Sequence, residues 1–244
     1  MIEPLTISAK TLGQIVMDDF CPRCFWLSLH LRGKLPFEGP FPGIFSSIDS
    51  YSKNIVHDYF DKKGKMPAWY PDVGDVASYV PGRDLHWRYF SATDAKTNVK
   101  LWGSPDELLK LKDGSVHIVD YKTGKLTRGQ DELLPLYIVQ LNAYAFICSS
   151  EKKEFAPVSG LSLIYTEPQT SLRSSTNPEV MSAQGFALHF SATMKQVKLE
   201  PDKMIRDLLA QVRKLYDQQP APKPKPGCED CDRFARLVLL AGAG

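Results

Sequence analysis

No apolar run in the 244-residue sequence approaches the roughly 20 residues of a membrane span. The opening stretch MIEPLTISAK lacks the basic and apolar regions of a secretion signal, so a cytoplasmic chain is the expectation. An excess of either charge is missing too: 30 Lys and Arg face 28 Asp and Glu, for a net +2. Bulk charge therefore names no nucleic-acid partner, and any basic surface has to be local. Cysteine is scarce at five residues, and reducing conditions exclude a disulfide framework. No internal repeat is visible, which excludes a solenoid. What is present, 43% apolar and 24% charged residues, suffices for a domain with a sizeable core.

Periodicity and breakers divide the chain. Ser8 is placed to cap a helix running through AKTLGQIVMDDF into CPRCFWLSLHL. The Gly/Pro-rich GKLPFEGPFPG follows, then a helix around SIDSYSKNIVHDYFDKKG. LHWRYFSA, NVKLWGSPDELLKL and SVHIVDYKTG read as three successive strands. A helix fits PLYIVQLNAYAFICSS, with Pro135 tolerated in its first turn. Strands fit SGLSLIYTE and GFALHFSATMKQVKL, separated by a polar loop over residues 171–184. DKMIRDLLAQVRKLYDQQ reads as the last helix, and the extended linker PAPKPKPG follows it. The prediction is one α/β domain over residues 1–244.

Chemistry concentrates where strands should end quietly. VDYKTG carries Asp120 and Lys122, two apart and so on one strand face. GSPDELL carries Asp106 and Glu107. QLNAY places Gln140 and Tyr144 four apart, on one helix face. This set resembles the PD-(D/E)XK nuclease superfamily, and within it the RecB-like branch. The matching motifs are Gly103-Ser104-Pro105-Asp106 for GxxD, Asp120-Tyr121-Lys122 for acid-x-Lys, and Gln140 to Tyr144 for QxxxY.

The resemblance implies a restriction-endonuclease-like core of helix, three antiparallel strands, helix and strand. It also implies a metal-dependent DNA nuclease, an exonuclease on single-stranded DNA or DNA ends. Phosphodiester hydrolysis calls for divalent ions, and Mg²⁺ or Mn²⁺ would take carboxylate oxygens from Asp106 and Asp120. Lys122 would orient the attacking water or stabilise developing charge. Gln140 and Tyr144 would contact the substrate backbone. His57 in NIVHDYFD stands where related nucleases carry a metal-binding histidine on the preceding helix. His86, His117 and His189 read as strand residues. Two alternatives stand beside this reading: a nuclease-fold protein that binds nucleic acid without cutting, and a sequence-specific duplex endonuclease.

Four cysteines form two pairs, Cys21-Pro-Arg-Cys24 and Cys228-Glu-Asp-Cys231, at opposite ends of the chain. Paired C-x-x-C units in a cytosolic chain suggest a thiolate metal site. The layout is similar to that of RecB-like exonucleases of CRISPR adaptation, which implies an iron–sulfur cluster and partners in a repair or adaptation complex. Here the pairs divide two and two rather than one and three, so Zn²⁺ stays open. Cys148 reads as a buried core thiol.

Strand register decides which acid faces Asp120. A two-residue loop at Asp113-Gly114 pairs positions summing to 227 and sets Glu107 opposite Asp120. A three-residue loop, Lys112-Asp113-Gly114 with Gly114 left-handed, shifts the sum to 226 and sets Asp106 there instead. The resemblance chooses the second.

Overall fold

Ser8 sets the first boundary by local chemistry. Its side chain accepts a hydrogen bond from the Thr11 backbone N–H at 3.0 Å, closing strand β1 (Leu5–Ser8) and opening helix α1 (Ala9–Gly13). The computed structural model describes residues 4–31, 43–70, 72–86, 88–124, 132–170 and 178–242. Residues 33–42 of the predicted Gly/Pro connection and residues 171–177 of the polar loop lie outside them.

The elements continue as α2 (Pro22–Leu31), α3 (Gly43–Lys63), β2 (Val76–Pro81), β3 (Ser91–Asp94), β4 (Val99–Trp102), β5 (Glu107–Leu111) and β6 (Val116–Thr123). Then come α4 (Leu134–Ser150), β7 (Val158–Pro168), β8 (Met181–Ser182), β9 (Gly185–Phe186), β10 (Phe190–Val197), α5 (Asp202–Asp217) and α6 (Glu229–Ala241). The main sheet has the order β10-β7-β6-β5-β2. β2, β5 and β6 are antiparallel neighbours, and β7 returns parallel to β6 after α4 crosses over. With α3 ahead, this is the predicted order of helix, three antiparallel strands, helix, strand. It is an α/β fold.

Several boundaries differ from the sequence reading: α6 follows the helix expected to be last, and the strand expected over GFALHFSATMKQVKL is split into β9 and β10. The N-terminal helix is not continuous: α1 ends at Gly13, and α2 starts afresh at Pro22, whose ring suits a first turn. A side chain at Gly13 has no room, since a Cβ would stand 2.6 Å from the Leu136 carbonyl oxygen of α4. The stretch from Asn98 to Leu111 is not one strand. It breaks between Trp102 and Glu107, and β4 pairs with β1 and β3 in a separate sheet. Pro105 has no N–H to give a ladder, which ends pairing there. The first core strand is therefore β2, which the sequence reading missed, while LHWRYFSA becomes a strand only at Ser91.

Each sheet face is covered. Leu108, Ile118, Leu161 and Leu163 pack with Leu141 and Ile147 of α4. On the other face Leu109, Val119 and Ile164 pack with Val56 of α3. Each fully buried side chain of this size contributes about 1.5–3 kcal/mol. Helix α5 closes the first cluster with Ile205, Leu209 and Val212 at helical spacing. Among the described residues, no helix is long and apolar enough to cross a membrane.

Candidate active site and cysteine site

The turn between β5 and β6 is Lys112-Asp113-Gly114. Gly114 takes φ +86°, which favours glycine, and Asp113 Oδ1 accepts the Ser115 N–H at 2.8 Å. Glu107 pairs with Val119 and Leu109 with His117, so paired positions sum to 226, the register of the three-residue loop. One step beyond the last pair, Asp106 comes opposite Asp120. Side chains alternate along the strands, so Asp106, Asp120 and Lys122 share one face while Glu107 and Tyr121 point to the other.

Asp106 is held on both oxygens. Oδ2 accepts the Tyr121 backbone N–H at 2.7 Å, and Oδ1 accepts from Lys53 Nζ at 2.6 Å. Burial and the neighbouring Asp120 charge push Asp106 up to about 7, against the pull of Lys53 and the Tyr121 N–H. Asp120 is 3% exposed. Lys122 Nζ meets its Oδ2 as an ion pair outside hydrogen-bond geometry. A buried carboxylate is costly unless a cation meets it, and here that cation is the Lys122 ammonium. With Asp106 opposite, the donor set fits an oxygen-seeking divalent ion.

From Lys122 a chain of contacts runs into α4. Nζ donates to Gln140 Oε1 at 3.3 Å and sits 4.1 Å from the centre of the Tyr137 ring. Gln140 Nε2 donates to the Tyr144 hydroxyl at 2.7 Å, which donates to the Ser104 carbonyl at 3.4 Å. Asp106, Asp120, Lys122, Gln140 and Tyr144 are thus gathered at one end of the sheet. Tyr144 is buried, and desolvation holds its hydroxyl protonated.

His57 goes elsewhere. Its Nε2 meets Glu107 Oε1 at 2.8 Å, on the face away from Asp120, and its ring stacks on Tyr79 at 4.1 Å. Glu107 is fully buried and also accepts from the Tyr121 hydroxyl at 3.1 Å. Among the described residues His57, Asp106 and Asp120 do not draw their ligand atoms within 4.8 Å of one another. The residue of α3 that reaches Asp106 is Lys53, which sequence reasoning missed. Its signal was there, one helical turn before His57 and so on the same face. Gly82 was also missed: its N–H donates to the Asp106 carbonyl at 2.7 Å, and a Cβ would stand 2.8 Å from the Pro105 oxygen.

The termini meet as the sequence requires. Cys21, Cys24, Cys228 and Cys231 bring their sulfurs within 4.8 Å of one another, with Cys24 to Cys231 at 3.3 Å and Cys24 to Cys228 at 3.6 Å. Burial pushes Cys21 up, but the N–H groups of Cys24 and Lys225 and the neighbouring thiols bring it down to about 6. That favours a thiolate at Cys21, the form that binds metal, while burial and the neighbouring thiols raise Cys24, and burial pushes Cys231 up to about 11. Zn–S bonds of about 2.3 Å imply tetrahedral sulfur separations of about 3.8 Å, so the four residues fit a metal. Cys148 is buried, as expected of a core thiol.

The family model of the PD-(D/E)XK nuclease superfamily matches residues 62–235, more than half of the chain. No curated protein matches the sequence. Among solved structures the chain is similar to an alkaline exonuclease (LHK-Exo) from Laribacter hongkongensis, at 11% identity and TM-score 0.43, covering 97% of this chain and 96% of that one. It is similar also to a phage related exonuclease from Haemophilus somnus 129PT, at 12% identity and TM-score 0.45, covering 88% and 95%.

Proposed function

The chain belongs to the PD-(D/E)XK nuclease superfamily, and from that premise we propose that it is a metal-dependent DNA nuclease of RecB-like type, acting on single-stranded DNA or DNA ends. The observation that carries this reading is the buried Asp120 carboxylate, ion-paired with Lys122 and opposite Asp106. Asp106 and Asp120 would hold Mg²⁺ or Mn²⁺, which when bound supplies charge neutralisation at the phosphate and a more acidic attacking water. His57 is left out of this set, because Glu107 engages its Nε2.

Lys122 acts from a fixed position. Gln140 and the Tyr137 ring hold its ammonium beside Asp120, where it donates to the phosphate oxygen on which charge grows. Gln140 and Tyr144 lie behind it, placed to orient the substrate backbone and to keep Lys122 in line. Lys53 balances Asp106 in the absence of substrate.

The cysteine site is structural in this reading, joining the ends of one domain that spans residues 1–244. The observed sulfur separations support a single tetrahedral ion such as Zn²⁺. An iron–sulfur cluster, with irons between the thiolates, would spread the sulfurs further. Partners in DNA repair or in CRISPR adaptation follow from the cysteine layout alone.

The test is cleavage of end-labelled single- and double-stranded DNA with Mn²⁺ or EDTA, by wild type and Asp120→Asn. Products that require Mn²⁺ and Asp120 support the reading. Cleavage indifferent to both overturns it.

A further inference from the structure

Beside the acidic pair, on the Tyr121 face of the sheet, runs an apolar groove of about 860 Å³. One wall is α3, with Tyr51 and Ile55; the other is Leu188 and Phe190 at the start of β10; Trp69 and Tyr121 complete it. Two of the rings are open to solvent, Tyr51 at 65% and Trp69 at 43% exposed, while Tyr121 is buried at the floor. Aromatic surface of that extent costs free energy in water unless something covers it.

We propose that this groove is a base-stacking channel for single-stranded DNA, delivering the strand to the Asp106–Asp120 site. The inference rests on the nuclease reading and adds where the strand lies and why it is single. Two observations select the occupant. The first is continuity with the acidic site. Ser52 lines the groove next to Lys53, whose Nζ bonds Asp106 at 2.6 Å and lies 5.8 Å from the centre of the Tyr121 ring, so the groove meets the acidic pair around the end of the sheet. Thr166, also on the wall, donates from Oγ1 to the Lys122 carbonyl at 3.5 Å. A strand whose phosphate sits by the acidic pair reaches these rings by passing Lys53 at the end of the sheet.

The second is charge. Among the described residues the lining contains no carboxylate, and hydroxyls of Ser47, Ser52, Ser191 and Thr166 stand among the rings. A polyanion can pass there without repulsion, and hydroxyls can donate to its phosphates. The rings accept any base, because every base has a π-face. A paired base keeps its faces inside the duplex stack, so the groove discriminates against double strands. The volume falls within the roughly 300–1,000 Å³ of ligand clefts, room for a short run of nucleotides.

The test separates binding from cutting. Fluorescence anisotropy of a labelled oligothymidylate is measured in EDTA with the full chain carrying Asp120→Asn, then with Tyr51→Ala, Trp69→Ala or both added. Each lost ring should weaken single-strand binding about 5- to 150-fold, the equivalent of about 1–3 kcal/mol per stacked base. Trp69→Phe should restore most of it, and oligothymidylate should quench Trp69 emission. Weak duplex binding should be unaffected by either alanine. Both rings are exposed, so unfolding midpoints should stay close to the parent.

Unchanged single-strand affinity in the double variant overturns the channel, while Mn²⁺-dependent cleavage by the otherwise wild-type chain leaves the nuclease reading standing. A parent that is dimeric by light scattering, and monomeric once both rings are removed, overturns it in favour of a surface between copies. RNA bound more tightly than DNA overturns the choice of strand. Absence of cleavage in wild type with Mn²⁺ defeats the nuclease reading, and the proposed delivery role with it.

Discussion

Gly103 and Tyr144 occupy one space. A Cβ at Gly103 would stand 2.6 Å from Cδ1 of the Tyr144 ring, so the glycine of GxxD is what admits the tyrosine of QxxxY. Gly103→Ala should push the ring off Gln140 and disturb Lys122 through it. We expect a loss of about 1–3 kcal/mol of stability from overpacking, with cleavage reduced in the folded fraction. Denaturant titration and single-turnover cleavage check both. A fully stable, fully active alanine variant would show that the two motifs do not depend on each other's packing.

Asp106 and Glu107 are neighbours with opposite assignments. Asp106→Asn should remove metal-dependent cleavage while keeping most of the stability. Glu107→Gln should retain most activity and instead lose about 1–3 kcal/mol, because a buried acceptor for His57 and Tyr121 is weakened. Activity and unfolding midpoints of the two variants, measured side by side, decide it. The opposite pattern would put the metal on the wrong face of the sheet.

Lys122→Ala should slow cleavage by about 10²- to 10³-fold, the usual effect of removing a donor to developing charge. Mn²⁺ affinity, followed by electron paramagnetic resonance, should change much less. A variant that cuts at the wild-type rate would remove Lys122 from the chemistry.

The cysteine site should hold one equivalent of metal. Elemental analysis of protein purified without oxygen should give one zinc per chain and no brown chromophore; iron with sulfide would instead establish the cluster. Cys228→Ala should lose the metal and lower the melting temperature, since metal binding and folding are coupled. Protein that carries neither element yet melts unchanged would refute the site.

His117 supplies a pH dependence remote from either site. It is buried against the Ser162 hydroxyl at 2.8 Å, and burial alone lowers it to about 4. The unfolded chain takes up a proton near pH 6.5, whereas the folded one does so only near 4. The stability from a neutral His117 is therefore complete above about pH 6.5, and is lost as pH falls towards 4, by about 3 kcal/mol at most. His117→Gln, whatever its packing cost, should flatten that limb of the stability curve. Identical slopes in both proteins would disprove the assignment.

The sequence made the centre of the fold legible and its periphery less so. β6, α4 and β7 carry long apolar runs with clear breakers, and the D-x-K and QxxxY spacings map directly onto one strand face and one helix face. β2 escaped because VASYVP is short, half-exposed, and bounded by turn residues on both sides. The split of residues 98–111 escaped because Gly-Ser-Pro can sit at a bulge or end a strand, and only the partner sheet decides between them. Lys53 escaped because a lysine on an exposed helix is ordinarily a solvated one. Which α3 side chain meets Asp106 depends on how the helix is rotated over the sheet, and local sequence does not encode that rotation.

The hairpin at Lys112–Gly114 behaves like a reading frame. Its three residues lie on the surface, where insertions are usually harmless. Yet the turn fixes the phase of β5 against β6: a two-residue turn in this same sequence, with Lys112 drawn into β5, would set Glu107 in place of Asp106 opposite Asp120. Sequence drift in this turn is therefore constrained by arithmetic as much as by chemistry. Residues can be swapped wherever Gly114 keeps its left-handed backbone, but a substitution that favoured a two-residue turn and drew Lys112 into the ladder would turn the acidic pair inside out.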